Sequence, residues 1–186
     1  MTMFTKGGTY PPRGHKNRIV RYSENKKLFK GEHYDVFERN QKLPQSDVYV
    51  SANLAGLICK KSADFLFGES PTFSAGKEAD SVEQVKLDSW VRENELFTKL
   101  QQSATANAYR GDSFFKVRWG QEHEGEVPEA FDPFRVIIDL QNPSYVFPET
   151  SENDATRIKA YHIAYPVRVA GSGDRWILNV ETHRPN

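Results

Sequence analysis

The sequence predicts an α+β fold in which amino-terminal helices, one of them long, pack on an antiparallel β-sheet. Apolar residues recur at helical spacing as far as Arg110, and after Gly111 the spacing changes to every second residue. The last two predicted strands, residues 157–169 and 174–183, are joined by the short turn AGSGD, which favours a hairpin. Helices that precede antiparallel strands are typical of the α+β class.

Residues 1–17 predict a flexible basic arm ahead of a body that spans residues 18–186. The segment is rich in glycine and proline and has little that could be buried. The whole chain holds 25 basic and 25 acidic residues, but residues 1–30 hold eight Lys or Arg and one acid, a net charge of +7. The remainder holds seventeen basic and twenty-four acidic residues, a net charge of −7. This asymmetry favours contact between the arm and an anionic partner.

Two helices are predicted before residue 70. The first begins near Arg18 and ends at Gly31. The second has Ser51 as its N-cap and ends on Gly68, a residue that can adopt the left-handed conformation. We expect its apolar stripe to be core: Leu54, Leu57, Ile58, Phe65 and Leu66.

The polar residues of the second helix indicate no chemistry. Lys60 and Lys61 lie near Asp64 and predict a solvated face, because a lysine nucleophile needs a buried or charge-crowded amine. Cys59, the only cysteine, has no histidine signature beside it and therefore predicts a small buried hydrophobe.

A long helix is predicted from Ser81 to Arg110, which would measure about 45 Å at 1.5 Å per residue. Ser81 and Gln84 have capping-box spacing, and Gly111 ends the helix. Asn94 is an alternative break that would divide it in two. An i, i+4 ridge with small residues predicts close helix contact: Leu96, Leu100, Ala104 and Ala108.

Strands follow the helices. Phe115, Val117 and Trp119 point to one side of a predicted strand, and Phe114, Lys116 and Arg118 point to the other. The stretches FRVIIDL and SYVFP predict two further short strands. Pro166 lies inside the first strand of the hairpin and predicts an edge or a bulge.

Glu122, His123, Glu124 and Glu126 are the nearest approach to a metal cluster. Consecutive residues on a glycine-containing loop rarely converge on one ion, so no site is predicted there. His162 lies in a predicted strand and indicates a hydrogen-bonded structural histidine. Hydrolase, P-loop and dinucleotide motifs are absent from the sequence. The sequence therefore predicts no catalytic, cofactor or metal site, and a protein that is not an enzyme.

The amino terminus has no apolar core of signal-peptide length, and no run approaches the roughly 20 apolar residues that a spanning helix needs. The sequence predicts a soluble, intracellular protein without membrane contact.

The cations of the arm and first helix interleave with Tyr10, Tyr22 and Phe29, a composition that suits sequence-independent nucleic-acid contact. An equally weighted alternative is that they clamp an acidic neighbour in an oligomer. The candidate contact residues are Lys6, Arg13, Lys16, Arg18, Arg21, Lys26, Lys27 and Lys30. One function that follows is a stand-alone nucleic-acid-binding module.

Four stretches in order resemble the amino-terminal half of tailed-bacteriophage portal proteins of the SPP1-like family. These are YSENKKLFKGEH, NLAGLICKKSADFLFGESP, LQQSATANAYRGDSFFKV and NPSYVFPE. Residues 18 to about 150 carry the resemblance, and the hairpin to residue 186 is compatible with it. The resemblance implies a wing-like domain and a structural protein.

The same resemblance implies the partners and the location. Portal subunits form a homo-oligomeric ring, typically a dodecamer, at one capsid vertex, through which double-stranded DNA is packaged and ejected. The implied partners are other copies of the chain, major capsid and scaffolding proteins, terminase, a head–tail adaptor and DNA. The implied location is the virion, with host cytoplasm during assembly. Portal proteins continue through stem and clip segments, so a truncated wing portion is expected here.

Overall fold

The computed structural model describes residues 3–37, 52–76, 78–171 and 174–185. Within these residues it contains five α-helices and two antiparallel sheets, which confirms the predicted α+β class. The helices are α1 Lys16–Lys30, α2 His33–Phe37, α3 Leu54–Leu66, α4 Val82–Glu93 and α5 Leu96–Arg110. The strands are β1 Phe114–Gly120, β2 Arg135–Gln141, β3 Val146–Thr150, β4 Ile158–Arg168 and β5 Trp176–His183, and a 3₁₀ turn spans Pro143–Tyr145.

The chain divides into two compact units. Unit 1 joins residues 1–24 to residues 142–186, and unit 2 is the continuous segment 25–141. The first division falls inside α1, and the second falls between β2 and the 3₁₀ turn. None of the described helices is both long enough and apolar enough to span a membrane.

In unit 2, α3 packs against α5 and approaches the last turn of α1 at Gly56. Gly56 and Ala63 are the buried residues of α3, and a Cβ on Gly56 would lie 2.6 Å from the carbonyl oxygen of Phe29. The predicted apolar stripe lies outside this contact, because Leu57 is 54% exposed and Phe65 is 89% exposed. The expectation that the stripe forms core is therefore wrong. The buried face of α3 is the one with small residues, because small residues allow close contact with neighbouring elements.

The ends of α3 also differ from expectation. Ser51 lies outside the described residues, and the side chain of Asn53 caps the helix by accepting from the Gly56 N–H at 2.9 Å. The C-cap is Phe67, and Gly68 does not adopt a positive φ. Gly111, in contrast, closes α5 with φ 84°, as predicted.

The predicted long helix is not observed, because the chain breaks between α4 and α5. Glu95 has a left-handed backbone, with φ 48°, directly after Asn94. The alternative of a break at Asn94 is the correct one. At the start of α4, Ser81 accepts from the Gln84 N–H at 3.2 Å. The Gln84 side chain does not return to Ser81 but bonds the backbone of Phe73 and Ala75.

The Asn94 side chain explains why the helix stops. Its amide nitrogen donates to the carbonyl of Val136 at 2.9 Å, and its amide oxygen accepts from the Ile138 N–H at 2.7 Å. Both groups lie on the edge of β2 that does not face β1. The buried Asn94 side chain thus makes the two hydrogen bonds that a neighbouring strand would make. It satisfies the Val136 carbonyl and the Ile138 N–H, which would otherwise be unpaired.

β1 and β2 pair in antiparallel register from Phe114 opposite Gln141 to Gly120 opposite Arg135. Phe115, Val117 and Trp119 lie on one side of β1, as the alternation predicts, and this apolar side is the exposed one.

Unit 1 is built on the sheet of β3, β4 and β5, in that order. The predicted hairpin is confirmed as β4 and β5, paired from Tyr161 opposite His183 to Arg168 opposite Trp176. Pro166 of β4 is paired with Leu178 of β5, and it lies beyond the part of β4 that pairs with β3. This agrees with the predicted edge position. Phe147 on β3 is fully buried and is the centre of this core.

Candidate functional site

Residues of the predicted arm contact the sheet of unit 1. The ring of Phe147 meets three rings edge to face, with centroids 5.4 Å from Phe4, 5.9 Å from Tyr10 and 5.3 Å from His15. The Tyr10 hydroxyl donates to the Ala164 carbonyl at 3.0 Å. Such aromatic pairs contribute about 0.5–1.5 kcal/mol each beyond their burial. The division into an arm, residues 1–17, and a body stays a prediction.

Arg18 is set apart from the other candidate cations by its position. Its guanidinium donates to the Val146 carbonyl at 2.7 Å and to the Tyr22 hydroxyl at 3.2 Å. The same group lies 5.8 Å from the centre of the Phe147 ring, within cation–π distance. Arg18 therefore holds the first turns of α1 against β3, and this role uses the donors that a phosphate would need.

The remaining candidates differ in exposure. Lys27 is partly buried and pairs with Asp35 at 3.1 Å, and Lys30 lies 3.7 Å from Glu32. Six candidates are exposed: Lys6, Arg13, Lys16, Arg21, Lys26 and Lys30. Of these, the first four belong to unit 1 and the last two to unit 2.

His162 forms a buried polar network within the β3–β4–β5 sheet. Its Nε2 lies 2.9 Å from Glu149 and its Nδ1 lies 2.8 Å from the Thr182 hydroxyl, while the imidazole is 3% exposed. Because a carboxylate only accepts, Nε2 donates to Glu149. This hydrogen bond is the main cause of the lowered pKa of Glu149. The predicted hydrogen bonding of His162 within a strand is observed, and its structural role stays a prediction.

The acidic connection between β1 and β2 is organised by one carboxylate. Asp132 is buried and accepts from the backbone N–H of His123 at 2.7 Å and of Glu122 at 3.2 Å. The His123 hydrogen bond is the largest of several causes that lower the pKa of Asp132. Glu122 is paired with Arg135. Among the described residues, no three His, Cys, Asp or Glu side chains are placed to hold a metal ion.

Cys59 is partly buried on α3, and desolvation raises the pKa of its thiol. A raised pKa lowers the thiolate fraction, which agrees with a structural residue. On the same helix, Lys61 and Asp64 form an exposed ion pair at 3.3 Å, as expected of a solvated face.

Sequence reasoning missed the cluster around Phe147. Phe4, Tyr10 and His15 stand in a glycine- and proline-rich segment, where periodicity gives no signal. Three rings within twelve residues are a hint of burial, but the partner lies more than 130 residues away. The two hydrogen bonds of Asn94 to β2 could not be predicted from the sequence either, because they join residues more than 40 positions apart.

Comparison with known proteins gives one match. The model of the family described as phage portal protein, SPP1 Gp6-like, matches residues 11–177 of the chain. Searches of curated proteins and of solved structures each found no match.

Proposed function

The chain belongs to the family of SPP1 Gp6-like phage portal proteins, and we propose that it serves as a structural subunit of a portal ring at one capsid vertex. The ring is the passage through which DNA is packaged and ejected, and the tail connects to it. The single observation that carries the proposal is the family match, which covers residues 11–177 of 186. The family is structural rather than enzymatic, and its place is the virion.

The proposed partners follow from the ring. They are other copies of the chain, the major capsid and scaffolding proteins, terminase, a head–tail adaptor and double-stranded DNA. The proposed number of subunits is twelve, and assembly takes place in the host cytoplasm.

Electron microscopy and native mass spectrometry of the purified full-length gene product test the ring. We expect closed rings of a single subunit number. A gene product that stays monomeric at micromolar concentration would contradict the proposal.

We further propose that the exposed cations Lys6, Arg13, Lys16 and Arg21 contact either DNA or an acidic neighbouring subunit. Arg18 is excluded from this set because its donors are used within unit 1. Deleting residues 1–30 would remove the packing on Phe147 together with the charge. Substitution of the four exposed cations by glutamine is therefore the cleaner test.

The measurement is a salt titration of binding to a random-sequence DNA duplex. If the four cations bind phosphates, the glutamine variant binds more weakly, and its salt dependence is shallower by up to about 0.9 for each phosphate that it no longer neutralises. The matched control replaces four exposed cations elsewhere with glutamine: Lys86, Arg92, Lys159 and Arg175. Equal behaviour of variant and control would exclude DNA contact and leave the neighbouring subunit as the partner of these cations.

A further inference from the structure

Exposed apolar side chains of unit 2 lie on several elements, and those on α3 and on β1 form two separate surfaces. The first, called here the α3 face, consists of Leu54, Leu57, Ile58, Phe65 and Leu66, which are 54–89% exposed. The second, called the β1 face, consists of Phe115, Val117 and Trp119, which are 40–67% exposed. Contiguous apolar surfaces of this kind mark sites of association in soluble proteins.

The two faces lie on elements that do not pair with each other. α3 packs on α5, α5 contacts β2, and β2 pairs with β1. A ring requires a head-to-tail contact, in which each subunit offers two different surfaces. A two-fold dimer would need only one self-complementary surface. The α3 face and the β1 face are two such different surfaces on one subunit.

The charges beside the two faces are opposite. Lys61 lies within the α3 face, between Ile58 and Phe65 on the same side of the helix. The β1 face ends at Trp119, directly before the acidic connection, and residues 121–132 contain no Lys or Arg. That connection carries four exposed glutamates: Glu122, Glu124, Glu126 and Glu129. Lys61 is paired with Asp64, and with Lys60 the helix carries a net charge of +1. Pairing two α3 helices would bring like net charges together, whereas pairing α3 with β1 brings this net positive charge towards carboxylates.

We propose that the α3 face of one copy of the chain docks on the β1 face of the next copy. This inference rests on the proposed ring and assigns the two surfaces that form its subunit contact. The apolar side chains supply the affinity, and the net positive charge of α3 with the acidic connection sets the direction of the contact.

Two variants test the contact in the 186-residue chain. The first carries Leu57→Glu with Phe65→Glu, which disables the α3 face. The second carries Val117→Lys with Trp119→Lys, which disables the β1 face. The control carries Val82→Glu with Val85→Glu on α4 of the same unit, where the replaced side chains are 67% and 57% exposed. Circular dichroism establishes that each variant is folded.

Sedimentation velocity across a concentration series gives the readout. We expect each interface variant to weaken self-association at least about tenfold and the control to leave it unchanged. An equimolar mixture of the two interface variants restores one functional contact, between the intact α3 face of one and the intact β1 face of the other. The mixture should therefore form dimers and no larger species.

Three results would overturn the inference: an unsubstituted chain that remains monomeric up to its solubility limit, a mixture that stays monomeric, or a control as impaired as the interface variants. Electron microscopy of the full-length gene product separates this inference from the proposed function. Rings that persist with both pairs of substitutions would overturn the α3–β1 contact and leave the portal role standing. Absence of rings from the unsubstituted gene product would instead contradict the portal role.

Discussion

Asp132 holds the connection between β1 and β2 by accepting two backbone N–H groups. Because these hydrogen bonds favour the charged carboxylate, its pKa in the folded protein is lower than in the unfolded chain. The stabilisation is fully present above the unfolded pKa, near the ordinary aspartate pKa of 3.8, and is lost as pH falls through the folded pKa.

Replacement of Asp132 by asparagine tests this account. We expect Asp132→Asn to lower the free energy of unfolding at pH 7 and to have a progressively smaller effect as the pH falls through the lowered pKa of the native carboxyl. Urea denaturation at a series of pH values measures this dependence. A variant that loses the same stability at every pH would show that charge is not the cause. Glu124→Gln on the same connection is the control.

Burial, rather than residue type, decides what a truncation costs in this chain. Phe147 is fully buried, and Phe147→Ala should lower the free energy of unfolding by about 3–5 kcal/mol. Phe65 is 89% exposed, and Phe65→Ala should change it by about 0.5 kcal/mol or less. Thermal and urea denaturation of both variants at a concentration where the chain is monomeric measure the difference. A large loss at Phe65 would show that its ring is covered.

At the scale of elements, the junction of α4 and α5 is fixed to β2 by Asn94. Replacing Asn94 with alanine leaves the Ile138 N–H and the Val136 carbonyl without this partner. We expect Asn94→Ala to cost about 1–3 kcal/mol, the range for a buried polar group whose hydrogen-bond partner is removed. Denaturation by urea measures the loss of stability.

The Asn94→Asp variant separates the two hydrogen bonds. Aspartate retains the acceptor for the Ile138 N–H but brings a carboxylate beside the Val136 carbonyl. It should therefore also destabilise, although its shape is nearly that of asparagine. Native stability of Asn94→Asp would contradict the donor role. Gln102, an exposed amide on α5, provides a control through Gln102→Ala.

At the scale of the whole molecule, each unit has its own core. Phe147 lies in unit 1, and Ile137, which is 4% exposed, lies in unit 2. Hydrogen exchange by mass spectrometry should show that Phe147→Ala accelerates exchange chiefly in β3, β4 and β5. Ile137→Ala should accelerate it chiefly in β1, β2 and α5, because local opening follows local packing. Equal acceleration throughout by either variant would contradict separate cores.

The chain as a whole exposes much of its apolar surface, including faces of α3, β1 and β5. A subunit that is covered by its neighbours in an assembly needs such surface, whereas an isolated domain does not. The family match and the exposed apolar surface thus both favour a subunit of an assembly. The proposed ring accounts for why bulky residues at helical spacing remain outside the core.

Patterns along the chain were enough to establish the α+β class, the hairpin of β4 and β5, the closing role of Gly111 and the family. Each of these depends on local spacing, on the conformational freedom of one residue, or on an ordered set of short stretches. The predicted metal-free, non-catalytic character and the role of the eight cations stay predictions.

Three features were determined only by the tertiary structure: which face of α3 is buried, where the predicted long helix breaks and which residues Phe147 contacts. Periodicity identifies an apolar stripe but does not say whether the stripe meets the chain's own core or another molecule. Gly56 lies against the carbonyl oxygen of Phe29, because only a residue without a side chain allows the backbones to approach so closely. The helix ends at Asn94, where the side-chain amide forms hydrogen bonds with a strand more than 40 residues away. No local sequence pattern indicates these hydrogen bonds.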